Sequence, residues 1–257
     1  MTGQEFKQKL HNGNLLLGTR ITSASLPWSR LARDLNLDFV FIDNEHYPLS
    51  PHETALLCHT HFSVGVVPMV RIPKPDATYA SMAMDWGALS IVAPYIETTD
   101  QIKELIGAVK YKPLKGDLLK SGLDENQWNR EIKEYLDQKN NQRSLIINIE
   151  STPALDDLDS LLSIPGLDGV LIGPHDLSVS LGIPEQYEHP LFYQSIEKIV
   201  TCARSHGLGA GIHTRWQLDN TKWLELDLNL VVHAEDYEAA KFKFSDDFHI
   251  LKKHKNT

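Results

Sequence analysis

Short apolar runs, each followed by a stretch with helical spacing, recur along nearly the whole chain, and this alternation constrains the fold more than any other feature. LLLGTRI (Leu15 to Ile21), FVFID (Phe39 to Asp43), VGVVPMVR (Val64 to Arg71) and LSIVAP (Leu89 to Pro94) are the first four. LIINI (Leu145 to Ile149), GVLIG (Gly169 to Gly173), Leu208 to His213 and Leu228 to His233 complete the set. These runs are close to continuously apolar, as strands buried on both faces require. Between them, spacings such as Ile102, Leu105, Ile106 and Val109 put apolar residues on one helical face. Helices are expected near residues 28–35, 51–59, 76–86, 99–109, 131–138, 153–162, 192–205 and 237–253, with a short one ending near Gly13. Eight strands alternating with helices, without internal repeats or linkers, predict an α/β fold: one (β/α)8 TIM barrel spanning residues 1–257. An open doubly wound sheet is the alternative. No glycine-rich phosphate loop follows the first strand, and the glycines of HGLGAGIH precede or lie within a strand. Residues 111–130 break the rhythm: Pro113, Gly116 and Gly122 and weak periodicity predict an irregular loop, of the kind that is commonly functional.

Composition narrows the function. A net charge of −9 argues against a nucleic-acid partner. Two cysteines, Cys58 and Cys202, make no disulfide framework. The polar start MTGQEFKQKL is not a secretory signal, and no apolar run approaches the ~18 residues of a membrane span. A cytoplasmic protein is expected.

In a barrel of this kind the chemistry sits at the carboxyl ends of the strands. Glu150 follows the fifth strand and Asp176 lies just past the sixth, 26 residues on. A βαβ unit sets consecutive parallel strands side by side, so both acids emerge at one edge. A hard divalent cation would neutralise them and keep positions for water and substrate. Equally, Asp176 could cap a helix starting at Leu177 while Glu150 is merely solvated; the spacing does not choose. Asp43 and His46, Arg71 and His213 end other strands and would join the same rim. Together they compose an acid pair, a fixed cation and an Asp–His pair. Cys58, His59 and His61 look like metal ligands, but Cys58 and His61 share a helix face that His59 does not. No lysine lies inside an apolar strand, which disfavours Schiff-base chemistry; Lys74 is the nearest exception.

IDNEH, VPMVRIP, NIES and GPHDLS, in this order and spacing, resemble the signatures of the HpcH/HpaI family of class II pyruvate aldolases. The resemblance implies a (β/α)8 barrel that cleaves a 4-hydroxy-2-oxoacid to pyruvate and an aldehyde with Mg²⁺, Mn²⁺ or Co²⁺. It implies Glu150 and Asp176 as metal ligands, Arg71 on the pyruvyl oxygen and His46 with Asp43 as the acid–base pair. Gly173, Pro174, His175 and Asp176 match the segment that receives the pyruvate carboxylate. The resemblance also implies a homo-oligomer, commonly a hexamer, in which the last helix packs on a neighbouring subunit.

Three positions depart from the pattern. Asn148 stands where many members have glutamine, the loop after Tyr111 lacks the Gly-x-Arg-Gly pattern, and His213 stands where the residue is usually apolar. Asn148 would still contact the oxoacid; His213 and residues 111–130 would alter the aldehyde side. Two rivals remain at this level. An acyl-CoA lyase of the citrate lyase β-subunit type shares the barrel and metal acids, though Asp43-Asn44-Glu45-His46 is not its DLED-type motif. A non-catalytic barrel that binds an oxoacid is the other.

Overall fold

The computed structural model describes residues 1–125, 128–214 and 221–255. The chain opens with α1 (Gly3–His11), then β1 (Leu16–Ile21), α2 (Pro27–Asp34), β2 (Phe39–Asp43), α3 (Pro51–Ser63), β3 (Val67–Arg71), α4 (Ala77–Asp85) and β4 (Ser90–Ala93). It continues through α5 (Thr99–Lys110), α6 (Gly116–Glu125), α7 (Arg130–Asn140), β5 (Ser144–Ile149), α8 (Thr152–Asp156), α9 (Leu158–Leu162), β6 (Gly169–Ile172) and α10 (Pro174–Ser180). The last elements are α11 (Pro190–Ser205), β7 (Gly209–Thr214), α12 (Thr221–Leu224), β8 (Leu230–Glu235) and α13 (Asp236–Lys255). All neighbouring strands pair in parallel, and β1 meets β8 to close the barrel. The expected (β/α)8 fold is therefore formed.

Two layers of apolar packing hold it. Inside the barrel, Leu16, Phe41, Met69, Val92, Ile146, Leu171 and Val232 meet, and α1 inserts Phe6 and Leu10 from the amino-terminal end. Phe6 packs edge-on against Phe39, with ring centroids 5.9 Å apart. Gly209 makes room for this plug, because a Cβ there would lie 2.1 Å from Leu10 Cδ1. The outer layer joins the other strand faces to the surrounding helices, with Ile42, Val70, Ile91, Ile147, Ile172 and Ile212 against residues such as Leu105, Leu161 and Ile199.

Two expectations need correction. Residues 111–130 are not an irregular loop: they contain α6 and lead into α7, which Asn129 caps. Gly122 looks like a helix breaker in sequence, but it serves packing. Its missing Cβ would fall 1.7 Å from the Trp128 indole, which also donates to the Leu118 carbonyl at 2.7 Å. Asn126 and Gln127 lie outside the described residues. The helix expected over 153–162 is divided at Asp157, whose φ of −105° and ψ of 23° end α8. The last helix, expected around 237–253, is formed over Asp236–Lys255, and Tyr237, Phe244, Phe248 and Leu251 on it are exposed. No helix among the described residues is long and apolar enough to cross a membrane.

Candidate active site

A cavity of 290 Å³ opens among the carboxyl ends of the strands, lined by Arg20, His46, Arg71, Glu150, Gly173, Pro174, His175, Asp176, Tyr187 and His213. A larger cavity of 440 Å³ lies elsewhere, against β1, β8 and α2, and its walls are mainly apolar (Leu17, Trp28, Leu31, Leu35, Val231). Polar groups converge in the smaller one, which makes it the candidate site.

At the end of β2, fully buried Asp43 receives the fork of Arg71: Nε donates to Oδ1 at 2.9 Å and Nη2 to Oδ2 at 2.5 Å. The backbone N–H groups of Glu45 and His46 also donate to Asp43 Oδ1, at 3.1 and 3.4 Å. Burial opposes its charge, yet the hydrogen bonds and charge of Arg71 outweigh this and hold the carboxyl below its usual range. Burial also disfavours the guanidinium, but Asp43, Glu45 and Glu150 push Arg71 above its ordinary value, so the cation is fixed. Its third nitrogen, Nη1, reaches Glu45 at 3.0 Å.

This arrangement alters the expected Asp43–His46 pair. Both Asp43 oxygens are taken by the Arg71 fork, and only the backbone of His46 reaches Asp43. The half-exposed ring of His46 instead lies with Nε2 3.6 Å from Glu45. Glu45 is thus the carboxylate beside the imidazole, and Asp43 orients Arg71.

Glu150, just past β5, is 4% exposed. It accepts from the Tyr95 backbone N–H at 2.8 Å and from Asn148 Nδ2 at 2.8 Å. Burial first, and then the nearby charges of Asp176 and Glu45, raise its pKa against these two donors. Gly173 follows β6 and leaves space for it: a Cβ there would stand 2.4 Å from Glu150 Oε2. Asp176 is half-exposed in the first turn of α10, which starts at Pro174 with Gly173 as N-cap. The helix does not begin at Leu177, so Asp176 is not its cap, and Glu150 is not a solvated surface acid. A buried carboxylate whose charge is opposed by a second acid, in a cradle that glycine keeps open, fits a divalent cation.

His213 on β7 lies with its ring centroid 6.1 Å from that of Phe41. Burial, helped by the charges of Arg20 and Arg71, pushes it down to about 3, so it is neutral near pH 7. Arg20, Tyr187, Tyr47 and Glu235 were not expected. Arg20 from β1 pairs with Glu235 from β8 and lies 3.5 Å from Asp43. The Tyr47 hydroxyl donates to Glu235 at 2.8 Å. A charged residue inside the run LLLGTRI was the available signal for Arg20; nothing local marked Glu235. Cys58 and His61 are buried in α3, where His61 Nδ1 lies 2.8 Å from the Leu57 carbonyl, as a helix interior requires.

The family model for HpcH/HpaI aldolase/citrate lyase matches residues 29–214, from α2 through β7. This chain belongs to the HpcH/HpaI aldolase/citrate lyase family. A 2-keto-3-deoxy-L-rhamnonate aldolase of Klebsiella pneumoniae is 30% identical over 207 residues, covering 80% of this chain and 77% of the relative. An HpcH/HpaI aldolase from Desulfitobacterium hafniense superposes with a TM-score of 0.83 at 27% identity, over 96% of both chains. The citrate lyase β subunit of M. tuberculosis, complexed with oxaloacetate and magnesium, has a TM-score of 0.59 at 13% identity, over 88% of this chain and 94% of that one, and shares the fold alone. This member of the HpcH/HpaI family is an aldolase, a lyase that breaks a hydroxy-oxoacid into pyruvate and an aldehyde. Members of the family generally depend on a divalent metal ion. The non-catalytic reading gives way to it.

Proposed function

We propose that the 290 Å³ cavity is where this aldolase handles the pyruvyl half of its substrate, with Glu150 and Asp176 as the ligands of Mg²⁺, Mn²⁺ or Co²⁺. The observation that carries this reading is the buried, charge-opposed Glu150 carboxylate beside Asp176, facing the same space as the Arg71 guanidinium. When bound, such an ion supplies Lewis acidity to the keto and carboxylate oxygens of the oxoacid.

Cleavage of the C3–C4 bond requires a proton to leave the C4 hydroxyl and leaves enolate charge on the pyruvyl fragment. His46 lines the cavity and takes that proton, with Glu45 at 3.6 Å steadying the imidazolium. Arg71, held by Asp43, puts fixed positive charge where the enolate develops. Asn148 donates to Glu150 and holds its carboxylate in place, a positioning role beside the oxoacid contact expected of it. Gly173, Pro174 and His175 at the start of α10 receive the substrate carboxylate. His213, neutral, borders the aldehyde. Given the 30% identical relative, 2-keto-3-deoxy sugar acids are the first substrates to test.

The enzyme acts as a homo-oligomer, a hexamer by family resemblance. Exposed Phe244, Phe248 and Leu251 on α13, together with the uncovered 440 Å³ apolar groove against β1, β8 and α2, support exchange of that helix between subunits.

The test avoids the unknown aldehyde. An enzyme that forms the pyruvate enolate must exchange the methyl protons of pyruvate with solvent. In deuterated buffer the methyl NMR signal should fade with Mg²⁺, Mn²⁺ or Co²⁺ and persist with chelator. Pyruvate binding without exchange under all three ions would reject the reading.

A further inference from the structure

Away from the active site, α9 and α11 bring together three unlike ligand atoms. Cys202 and His206 are four residues apart at the end of α11, so their side chains share one face. Asp159 approaches from α9. One oxygen of Asp159, the Cys202 sulfur and a His206 ring nitrogen all lie within 4.8 Å of one another. His206 Nε2 is 2.8 Å from Asp159 Oδ1. Cys202 and His206 are half-buried, while Asp159 is exposed and free to adjust its rotamer.

An aspartate–histidine hydrogen bond accounts for two of the three groups and leaves the thiol unexplained. Burial, followed by the charge of Asp159, holds the Cys202 thiol above its ordinary range, and Lys198 offsets this only in part. A thiol so placed is a poor nucleophile and a poor redox centre, since both need the thiolate. Its neighbours suit a different chemistry. The carboxylate that opposes a bare thiolate becomes its fellow ligand once a cation sits between them. Ligand bonds of ~2.0–2.3 Å at tetrahedral angles set the ligand atoms roughly 3.3–3.7 Å apart, so the Asp159 oxygen must back away from His206 Nε2, now 2.8 Å from it, to admit an ion, a shift that the exposed Asp159 side chain can make.

We propose that Asp159, Cys202 and His206 form a second metal site, for a borderline divalent ion of the Zn²⁺ class, with water completing a tetrahedron. Sulfur and imidazole select such an ion over Mg²⁺, whereas the carboxylates Glu150 and Asp176 suit the harder cations. Binding displaces the Cys202 proton to solvent, so affinity rises with pH. The ion clamps α9, which precedes β6, to α11, which follows it, and stabilises the helical layer on that side.

Co²⁺, as a spectroscopic stand-in for Zn²⁺, tests the site on the full-length, reduced, metal-free protein. A near-ultraviolet thiolate-to-cobalt band should grow to saturation, by two added equivalents because Glu150 and Asp176 also take cobalt, and vanish on adding Zn²⁺. Cobalt held by Glu150 and Asp176 has only oxygen ligands and gives no such band, so the two sites are read separately. Cys202→Ser should abolish the band, and His206→Ala and Asp159→Asn should each weaken cobalt binding by about 10-fold or more. Zn²⁺ should raise the melting temperature of the wild type and not of Cys202→Ser. Absence of the band at saturating Co²⁺ overturns the proposal. So does a band whose affinity is unchanged in both His206→Ala and Asp159→Asn, because that is an isolated thiol binding metal.

Discussion

Asp168 and Glu150 are buried to nearly the same degree, at 3% and 4% exposure, on adjacent strands at opposite ends of the barrel. Asp168, before β6, accepts from the Leu145 backbone N–H at 2.7 Å, lies 3.1 Å from His11 Nε2 and pairs with Lys110. Burial alone would raise its pKa, but Lys110 and these hydrogen bonds bring it below the usual range. Glu150, after β5, has two neutral donors and two acidic neighbours, and its pKa is raised. Equal burial therefore yields opposite electrostatics, and the partners decide. Asp168 is neutralised within the protein by Lys110, whereas Glu150 has no such ion pair among the described residues.

The largest expected effect breaks this comparison at its upper end. Glu150→Gln should cut turnover by ~10³-fold or more, the scale of losing a group that acts on developing charge, while the barrel stays folded. Calorimetry should show divalent-ion binding sharply weakened. Undiminished ion affinity would remove Glu150 from the metal site. Arg71→Ala should slow pyruvate methyl exchange by about 10²–10³-fold, because the enolate would lose its fixed positive partner while the Asp43 carboxylate stays nearby, released from the Arg71 fork. A rate within a factor of two of wild type would exclude it.

At the lower end, Asp168→Asn should cost about 3–5 kcal/mol in urea unfolding, since buried Lys110 keeps the Arg143 carbonyl but loses the carboxylate that balances its charge. Turnover per folded molecule should be unchanged. An intact stability would show that the two ends do not differ as argued.

A pH series sharpens the contrast. Asp168 has a lowered folded pKa, so its stabilisation is present above the unfolded value and is lost as pH falls through the folded one. Glu150 has a raised folded pKa and behaves oppositely. Without metal, stability should decline as pH rises from the unfolded value of 4.5 through the folded pKa, because the native state gives up a proton it prefers to keep. Added Mg²⁺ should reverse that slope, and Glu150→Gln should flatten it. Melting temperatures with chelator and with Mg²⁺ measure both. A chelator profile identical in wild type and Glu150→Gln would contradict the assignment.

The smallest effect is at His213. With its pKa near 3, His213→Leu should leave the pH profile of turnover between pH 6 and 8 unchanged and shift preference among aldehydes by about 10-fold. Equal losses with every aldehyde, with weaker pyruvate binding, would put His213 on the pyruvyl side.

The eight strands were legible because strands buried on both faces must be apolar nearly throughout, and FVFID and LIINI leave little alternative. Glu150, Asp176 and Arg71 were legible because a parallel barrel sends every strand end to one rim. What escaped depended on contacts between distant residues. Gly122 reads as a breaker until Trp128 is seen filling its missing side chain. Asp43 and His46 read as a pair by proximity, but the Arg71 fork, from another strand, claims the carboxylate first. Asp159 and Cys202 are separated by a whole strand, and only the packing of α9 on α11 joins them.

The seal that Phe6 and Leu10 make at the foot of the barrel has a further consequence. With Phe41, Met69, Val92 and Leu171 filling the space above that seal, the 290 Å³ cavity is a bowl at the carboxyl-terminal rim and not a shaft through the barrel. Glu150 is 4% exposed while the side chains of Asp176 and His46 are half-exposed, so a molecule in the mouth of the bowl would cover whatever rests against Glu150.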